Sequence, residues 1–204
     1  MVHLVGVRVD AVRNQARILD VARRLVGAHG PDAAMDDIAR EAGVAVGTLY
    51  RHFPTKAALV EAVVRDSTEQ LAEAAEAAAA RAAGGGDAAA ELGDLFRLVA
   101  RRHSEDLAVK EAAASLGADA DGVDGRVGGE PGPPRARAWA AIVELLDRAV
   151  AAGSVRPDLT PQDLLMFVAG LPRDPTNPAQ RDRYVEIVLD GVRPRRPSHR
   201  GSVL

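Results

Sequence analysis

The sequence contains no cysteine. That absence excludes disulfide scaffolds, thiolate zinc sites, iron–sulfur clusters and cysteine nucleophiles. Aromatic residues make up only 3% of the chain, and the apolar–polar alternation of half-buried strands is nearly missing, so little argues for a sheet. Lysine is scarce as well: of 26 basic residues only Lys56 and Lys110 are lysine. With alanine so abundant, that reads as genome composition and not as function. No apolar run approaches the roughly 18–20 residues of a membrane helix. No charged segment followed by a long apolar stretch marks the N-terminus as a secretory signal. A cytoplasmic protein without membrane contact is expected.

What remains is an ordinary globular composition, 47% apolar and 27% charged over 204 residues, enough for one large or two small domains with a proper core. The net charge of −3 argues against a general nucleic-acid coat protein. The charge is uneven, however. Residues 1–60 hold 8 Arg/Lys against 6 Asp/Glu, and the remainder 18 against 23. A mildly basic head on an acidic body fits phosphate contact at one end only.

Apolar residues recur at helical spacing. Ile18, Ala22, Leu25 and Val26 form one stripe, Leu92, Leu95, Phe96 and Val99 a second, and Trp139, Ile142, Val143, Leu146 and Val150 a third. Thr160-Pro161 with Asp163 reads as an N-cap, a first-position proline and a first-turn acid. Asn177-Pro178 repeats the device before a helix over 179–190, and Gly191 stands where a C-terminal cap belongs. About nine helices and no sheet are expected, an all-α protein. The longest helix runs from Lys56 to Ala83 and ends in Gly84-Gly85-Gly86, which lacks the lysine and hydroxyl of a phosphate cradle. Residues 117–134, dense in Gly, Pro and Asp, read as a mobile linker. Residues 195–204 read as a loose basic tail.

Rival chemistries fail on their own spacing. Asp119, Asp121, Asp124 and Glu130 have the span of a calcium loop, but Val123 stands at the fifth position and Asp124 at the sixth, where glycine is required. A solvated acidic loop is the better reading. His103 and Glu105 mimic the His-x-Glu of zinc deaminases without the cysteines that chemistry needs. No Gly-x-Ser-x-Gly turn and no His-Glu-x-x-His helix occurs. No enzyme, metal or cofactor is expected.

Residues 14–56 place three short helices in succession: about Asn14 to His29, Met35 to Ala42 ended by Gly43, and Ala45 to His52 broken by Phe53-Pro54. A short helix, a tight glycine turn and a second short helix match the helix-turn-helix that sets its second helix in the major groove. The runs Met35-Asp36-Asp37-Ile38-Ala39-Arg40-Glu41-Ala42-Gly43-Val44 and Gly47-Thr48-Leu49-Tyr50-Arg51-His52-Phe53-Pro54-Thr55-Lys56 closely resemble the DNA-binding head of the TetR-family transcriptional repressors. The resemblance covers residues 14–60; beyond that it rests on helical layout and length.

The resemblance implies a homodimer whose heads bind successive major grooves of a palindromic operator on double-stranded DNA, released by a small molecule in the body. The expected DNA-binding residues are Val46, Gly47, Thr48, Tyr50, Arg51, His52 and Lys56. Thr48 carries a hydroxyl suited to a phosphate or base edge. Positions matching Tyr50 contact phosphate or a thymine methyl in the family. His52, four residues after Thr48, shares its face, Gly47 allows close backbone approach, and Lys56 would anchor phosphate at the start of the long helix. Thr48 and Tyr50 could instead cap and pack a small head, and Arg51 could simply solvate its helix. Leu49 and Phe53 read as core. The chain departs from the family at Ala34 and Ala45, where Ser or Thr often caps a helix, and at Val46, often polar or basic. Those departures suggest weaker or more apolar base readout, or contacts supplied instead by Arg40, Arg51 or an N-terminal arm with Arg8 and Arg13.

In the body, Phe96, Trp139, Met166 and Phe167 are candidates to line an apolar cavity, with Arg97 or His103 as its polar group, or else they are plain core. Leu164, Leu165, Val168, Tyr184, Ile187 and Val188 fall on the two last helices, which the resemblance assigns to the dimer interface. The expected domains are a helix-turn-helix DNA-binding domain over 10–55 and a helical ligand-binding and dimerisation domain over 56–194. The function expected is a ligand-responsive transcriptional repressor. The alternative is a helical small-molecule-binding protein with a DNA-silent head.

Overall fold

The computed structural model describes residues 2–118, 126–127, 130–174 and 176–194. Asp119, Asp121, Asp124 and the tail 195–204 lie outside the described residues, along with the readings placed on them. In chain order the elements are α1 (Val2–His29), a 3-10 turn (Gly30–Asp32), α2 (Met35–Glu41), α3 (Val46–His52), α4 (Lys56–Ala83) and α5 (Ala88–Ser115). Then come β1 (Arg126–Val127), β2 (Glu130–Pro131), α6 (Pro133–Ala151), α7 (Pro161–Ala169) and α8 (Pro178–Gly191). The protein is all-α, with eight α-helices among the described residues where about nine were expected. The absence of any sheet is corrected in one place. β1 and β2 pair antiparallel with Val127 opposite Glu130, and α6 begins inside the expected linker at Pro133, whose missing N–H suits a first helical position.

The chain forms two compact units, Met1–Glu73 with Arg102–Arg137, and Ala74–Arg101 with Ala138–Leu204. In the first, Ile18, Ala22 and Val26 of α1 bury against Ile38 of α2, Leu49 of α3, and Leu59 and Val63 of α4. The four-residue spacing along α1 and α4 puts those side chains on one face. Val109, Ala112 and Ala113 of α5 belong to the same core, a contribution from far along the chain that no local pattern announces. In the second unit Ala100, Leu171 and Val185 bury with Phe96, Val168, Tyr184 and Leu189 packed around them.

The stripe expected on α6 needs correction. Leu146 is buried, but the rest of the buried face is Ala138, Ala141, Leu145 and Ala149, while Trp139, Ile142, Val143 and Val150 are half-buried. Alanine allows close approach of neighbouring backbones, so Ala138, Ala141 and Ala149 share the buried face with Leu145 and Leu146, and the aromatic and β-branched residues stay at its margins.

Helix punctuation follows the sequence at α7 and α8. The Thr160 hydroxyl accepts from the Asp163 amide, and the Asp163 carboxylate accepts from the Thr160 amide at 2.8 Å and its hydroxyl at 2.7 Å, a complete capping box. Asn177 accepts from the Gln180 amide at 3.1 Å. At the other end of α8, Gly191 is still helical and Val192 closes the helix in a right-handed conformation, so no glycine cap forms there.

The Thr160 hydroxyl first, and its amide second, hold the Asp163 carboxyl below the usual carboxylate range. A carboxyl depressed in the folded state adds stability that is complete above its unfolded value of about 4 and is lost as pH falls through the folded value. Asp163→Asn is therefore expected to flatten the acid limb of a melting-temperature profile below about pH 4. A limb as steep as in the parent protein would overturn that assignment.

Candidate nucleic-acid interface and effector cavity

The first site is built from α2, a turn and α3. Ala34 and Ala45, both extended, precede α2 and α3 as N-caps and offer no side-chain acceptor. Asp36 and Asp37 in the first turn of α2 partly compensate through the helix dipole. Gly43 ends the helix at φ +65°, its amide donating to the Arg40 carbonyl at 3.2 Å while the Val44 amide reaches the Ala39 carbonyl at 3.0 Å. That pair of bonds is the Schellman closure, which needs a residue tolerant of the left-handed region. The chain then turns directly into α3.

Seven residues of helix span about 10 Å, short enough to lie within a major groove about 12 Å wide. In α3 a single residue, Leu49, is buried. Phe53, also buried, closes the helix with its amide on the Leu49 carbonyl at 2.8 Å. Everything else is available: Val46 is 40% and Tyr50 45% exposed, Gly47, Arg51 and His52 are exposed, and Thr48 is half-buried. A side chain built at Gly47 would meet nothing within 4 Å. Such an arrangement presents hydroxyl, phenol, guanidinium, imidazole and bare backbone together, the groups that bond phosphates and base edges.

Electrostatics separate these residues further. Arg24 pairs with Glu41 at 2.8 Å and Arg40 with Asp37. Lys56, expected to face phosphate, instead donates from Nζ to the Pro31 carbonyl at 2.7 Å and ties the start of α4 to the 3-10 turn. Arg51 has no hydrogen bond or ion pair among the described residues. Of the arginines and lysines named for readout on α2, α3 and α4, Arg40 is ion-paired and Lys56 is held by a neutral carbonyl, while Arg51 is held by neither among the described residues.

A polar network behind the head has no counterpart in the sequence reading. Arg23 of α1, 7% exposed, pairs with Asp66 of α4 at 2.9 Å. Asp66 also accepts from Gln70 at 2.7 Å, Arg102 of α5 donates to Gln70 and Ser67 at 3.1 Å each, and Ser67 donates to Asp106 at 2.8 Å. The available signal was an arginine inside the apolar stripe Ile18, Ala22, Val26.

The second site is an apolar cavity lined wholly by residues of the second unit, about 70 Å³ in volume and open at its mouth. Phe96 and Phe167 are among its lining residues. Trp139 and Met166 are not; Met166 is 68% exposed, two residues on from the lining Leu164 and so on the far side of α7. Arg97 is turned about 100° from Phe96 around α5 and pairs with Glu186 and Asp94. His103 belongs to the other compact unit. Of the expected interface residues, Leu165 and Ile187 are more than half exposed. Leu164, Val168 and Val188 line the cavity, and the Tyr184 hydroxyl donates to the Phe167 carbonyl at 3.0 Å.

The head and the all-α body together have the fold and motif of helix-turn-helix transcriptional regulators. The description "Bacterial regulatory proteins, tetR family" matches residues 18–63, and "Transcriptional regulator SbtR-like, C-terminal domain" matches residues 87–194. The chain belongs to the TetR family, a family of regulators and not of enzymes. It is similar to a TetR transcription regulatory protein from Mycobacterium vanbaalenii, at 34% identity over 92% of this chain and 99% of that one, with a TM-score of 0.70. A TetR transcriptional regulator from Streptomyces coelicolor is 31% identical over 89% and 99%, with a TM-score of 0.72. An HTH-type transcriptional regulator of Staphylococcus aureus is 41% identical over 59 residues, 28% of this chain and 32% of that protein. That match therefore spans about a third of the curated relative's length. Among the described residues no helix is long and apolar enough to cross a membrane.

Proposed function

We propose that the chain is a ligand-responsive, sequence-specific repressor acting in the cytoplasm. Two copies would set their α3 helices in successive major grooves of a palindromic operator and leave it when a small molecule occupies the body. One observation carries this reading: α3 buries only Leu49 of its own residues and leaves Gly47, Tyr50, Arg51 and His52 exposed, with Arg51 in no hydrogen bond or ion pair among the described residues. Within it, residues 10–55 are the reading head and 56–194 the regulatory and dimerisation body. Exposed Leu165 and Ile187 supply apolar surface for an isologous contact with a second copy. Release is a population shift, in which the ligand prefers the conformer whose heads do not match adjacent grooves. A coupling of about 1–3 kcal/mol suffices for such regulation.

Genomic fragments captured on the purified protein at about 150 mM salt and sequenced test the reading, because nonspecific phosphate contacts are substantially weakened there. A shared palindrome is the expected result, with affinity falling at a log–log salt slope of about −0.9 per phosphate neutralised. No enrichment from folded protein would overturn it and favour the DNA-silent binder.

A further inference from the structure

The cavity of the second unit is walled by carbon. Among the described residues every side chain around it is Leu, Ile, Val or Phe, with Phe96 and Val99 from α5, Ile142 from α6, Phe167 from α7 and Val188 from α8. Several polar groups near these residues along the chain are already committed elsewhere. The Arg97 guanidinium, next to Phe96, donates to Glu186 at 3.0 and 3.3 Å and to Asp94 at 3.1 Å. The Tyr184 hydroxyl, one turn before Val188, is held by the Phe167 carbonyl. The Thr160 hydroxyl, beside the lining Leu159, is spent on Asp163. Arg156, three residues earlier, forks onto Asp158.

Resting on the ligand-responsive reading above, we infer that the occupant is an uncharged, mainly hydrocarbon molecule, a short aliphatic chain or small ring system, with any single neutral polar group left at the open mouth. An ionised group inside this wall would lose its water and gain no counter-charge, which costs far more than the apolar contacts return. A lone hydroxyl costs much less, and least at the mouth. An apolar wall offers water no hydrogen bonds and takes apolar guests. The cavity proper holds only about 70 Å³, below the about 300–1,000 Å³ of drug-sized pockets, so the guest is narrow and lies partly in the open mouth. Among the described residues the wall holds no charged anchor, the role Arg97 or His103 was expected to fill.

The test uses three probes with one chain length, 1-decanol, decanoate and decylammonium, titrated calorimetrically into the full chain at about pH 8, where the last two are ionised. 1-Decanol is expected to bind once per chain and raise the melting temperature, and both ions to bind at least about thirtyfold more weakly. Val99→Phe, which fills the cavity from α5, should abolish the decanol response; Val188→Phe fills it from α8 should the first variant fail to fold. Either ion binding as tightly as decanol, or a decanol response surviving both variants, overturns the inference. DNA retention read in the same samples separates the two readings. Decanol bound with DNA still retained supports the guest class and overturns the ligand response. DNA released by decanoate alone overturns the guest class and leaves the response standing.

Discussion

Tyr50→Ala is expected to weaken binding to the captured operator fragment by about tenfold to a hundredfold, the cost of about 1–3 kcal/mol typical of a lost contact, with the melt unchanged. Leu49→Ala, one residue away, is expected to do the reverse first. Tyr50 is nearly half exposed, and no hydrogen bond to its hydroxyl is made among the described residues, so its truncation opens no void. Leu49 is wholly buried and is the sole anchor of α3. Its truncation removes apolar contacts and leaves a cavity at a cost of about 2–5 kcal/mol. That is a large share of the about 5–15 kcal/mol that holds a domain folded. Calorimetry should show an early loss of the head, and DNA binding should fail with it and recover partly on cooling. Arg51→Ala completes the set by lowering the salt slope by about 0.9 without shifting the melt. Anisotropy titrations at several salt concentrations read all three variants. Full operator affinity in Tyr50→Ala with a normal melt, or an unshifted melt in Leu49→Ala, would overturn the division of α3 into an anchor and a reading face.

That division was legible in the sequence because everything that makes it is local. Gly43 supplies the left-handed closure, and one apolar residue in each short helix turn selects the buried side. The caps Thr160 and Asn177 were readable for the same reason, since an N-cap bonds only two or three residues onward. The bond of Lys56 to the Pro31 carbonyl was not legible, because its partner lies 25 residues back in a turn no pattern marks. Size misled the reading of the body. Trp139 and Met166 were chosen as the bulkiest candidates, yet Ala138, Ala141 and Ala149 fill the close contacts of α6 and medium-sized Leu, Ile and Val line the cavity. The share of α5 in the head's core was invisible because Val109, Ala112 and Ala113 meet α1 and α4 only in three dimensions.

Arg23 and Asp66 lie at the same limit of legibility, and their substitution carries the second large effect. Arg23 is buried inside the apolar face of α1, and its Nε has no hydrogen-bond partner among the described residues, so Asp66 is its counter-charge. Removing one partner of a buried pair leaves a charge without water or partner, at about 3–5 kcal/mol. Asp66 keeps about a third of its side chain in solvent, which admits water and lowers the expectation to about 3 kcal/mol. For a chain of this size that is a fall of roughly 6–12 °C in melting temperature. Arg23→Met combined with Asp66→Leu removes both charges at similar volume and is expected to restore most of the loss, because desolvation of the pair offsets much of its attraction. The double-mutant cycle then isolates the coupling itself. A single Asp66→Ala variant that melts like the parent would show that Arg23 finds water instead, and would overturn the burial argument. DNA affinity of the double variant carries the last step. A restored melt with affinity also restored leaves the pair a stabilising contact, whereas a restored melt with weakened affinity assigns it to holding α1 and α4 at the spacing that α3 needs.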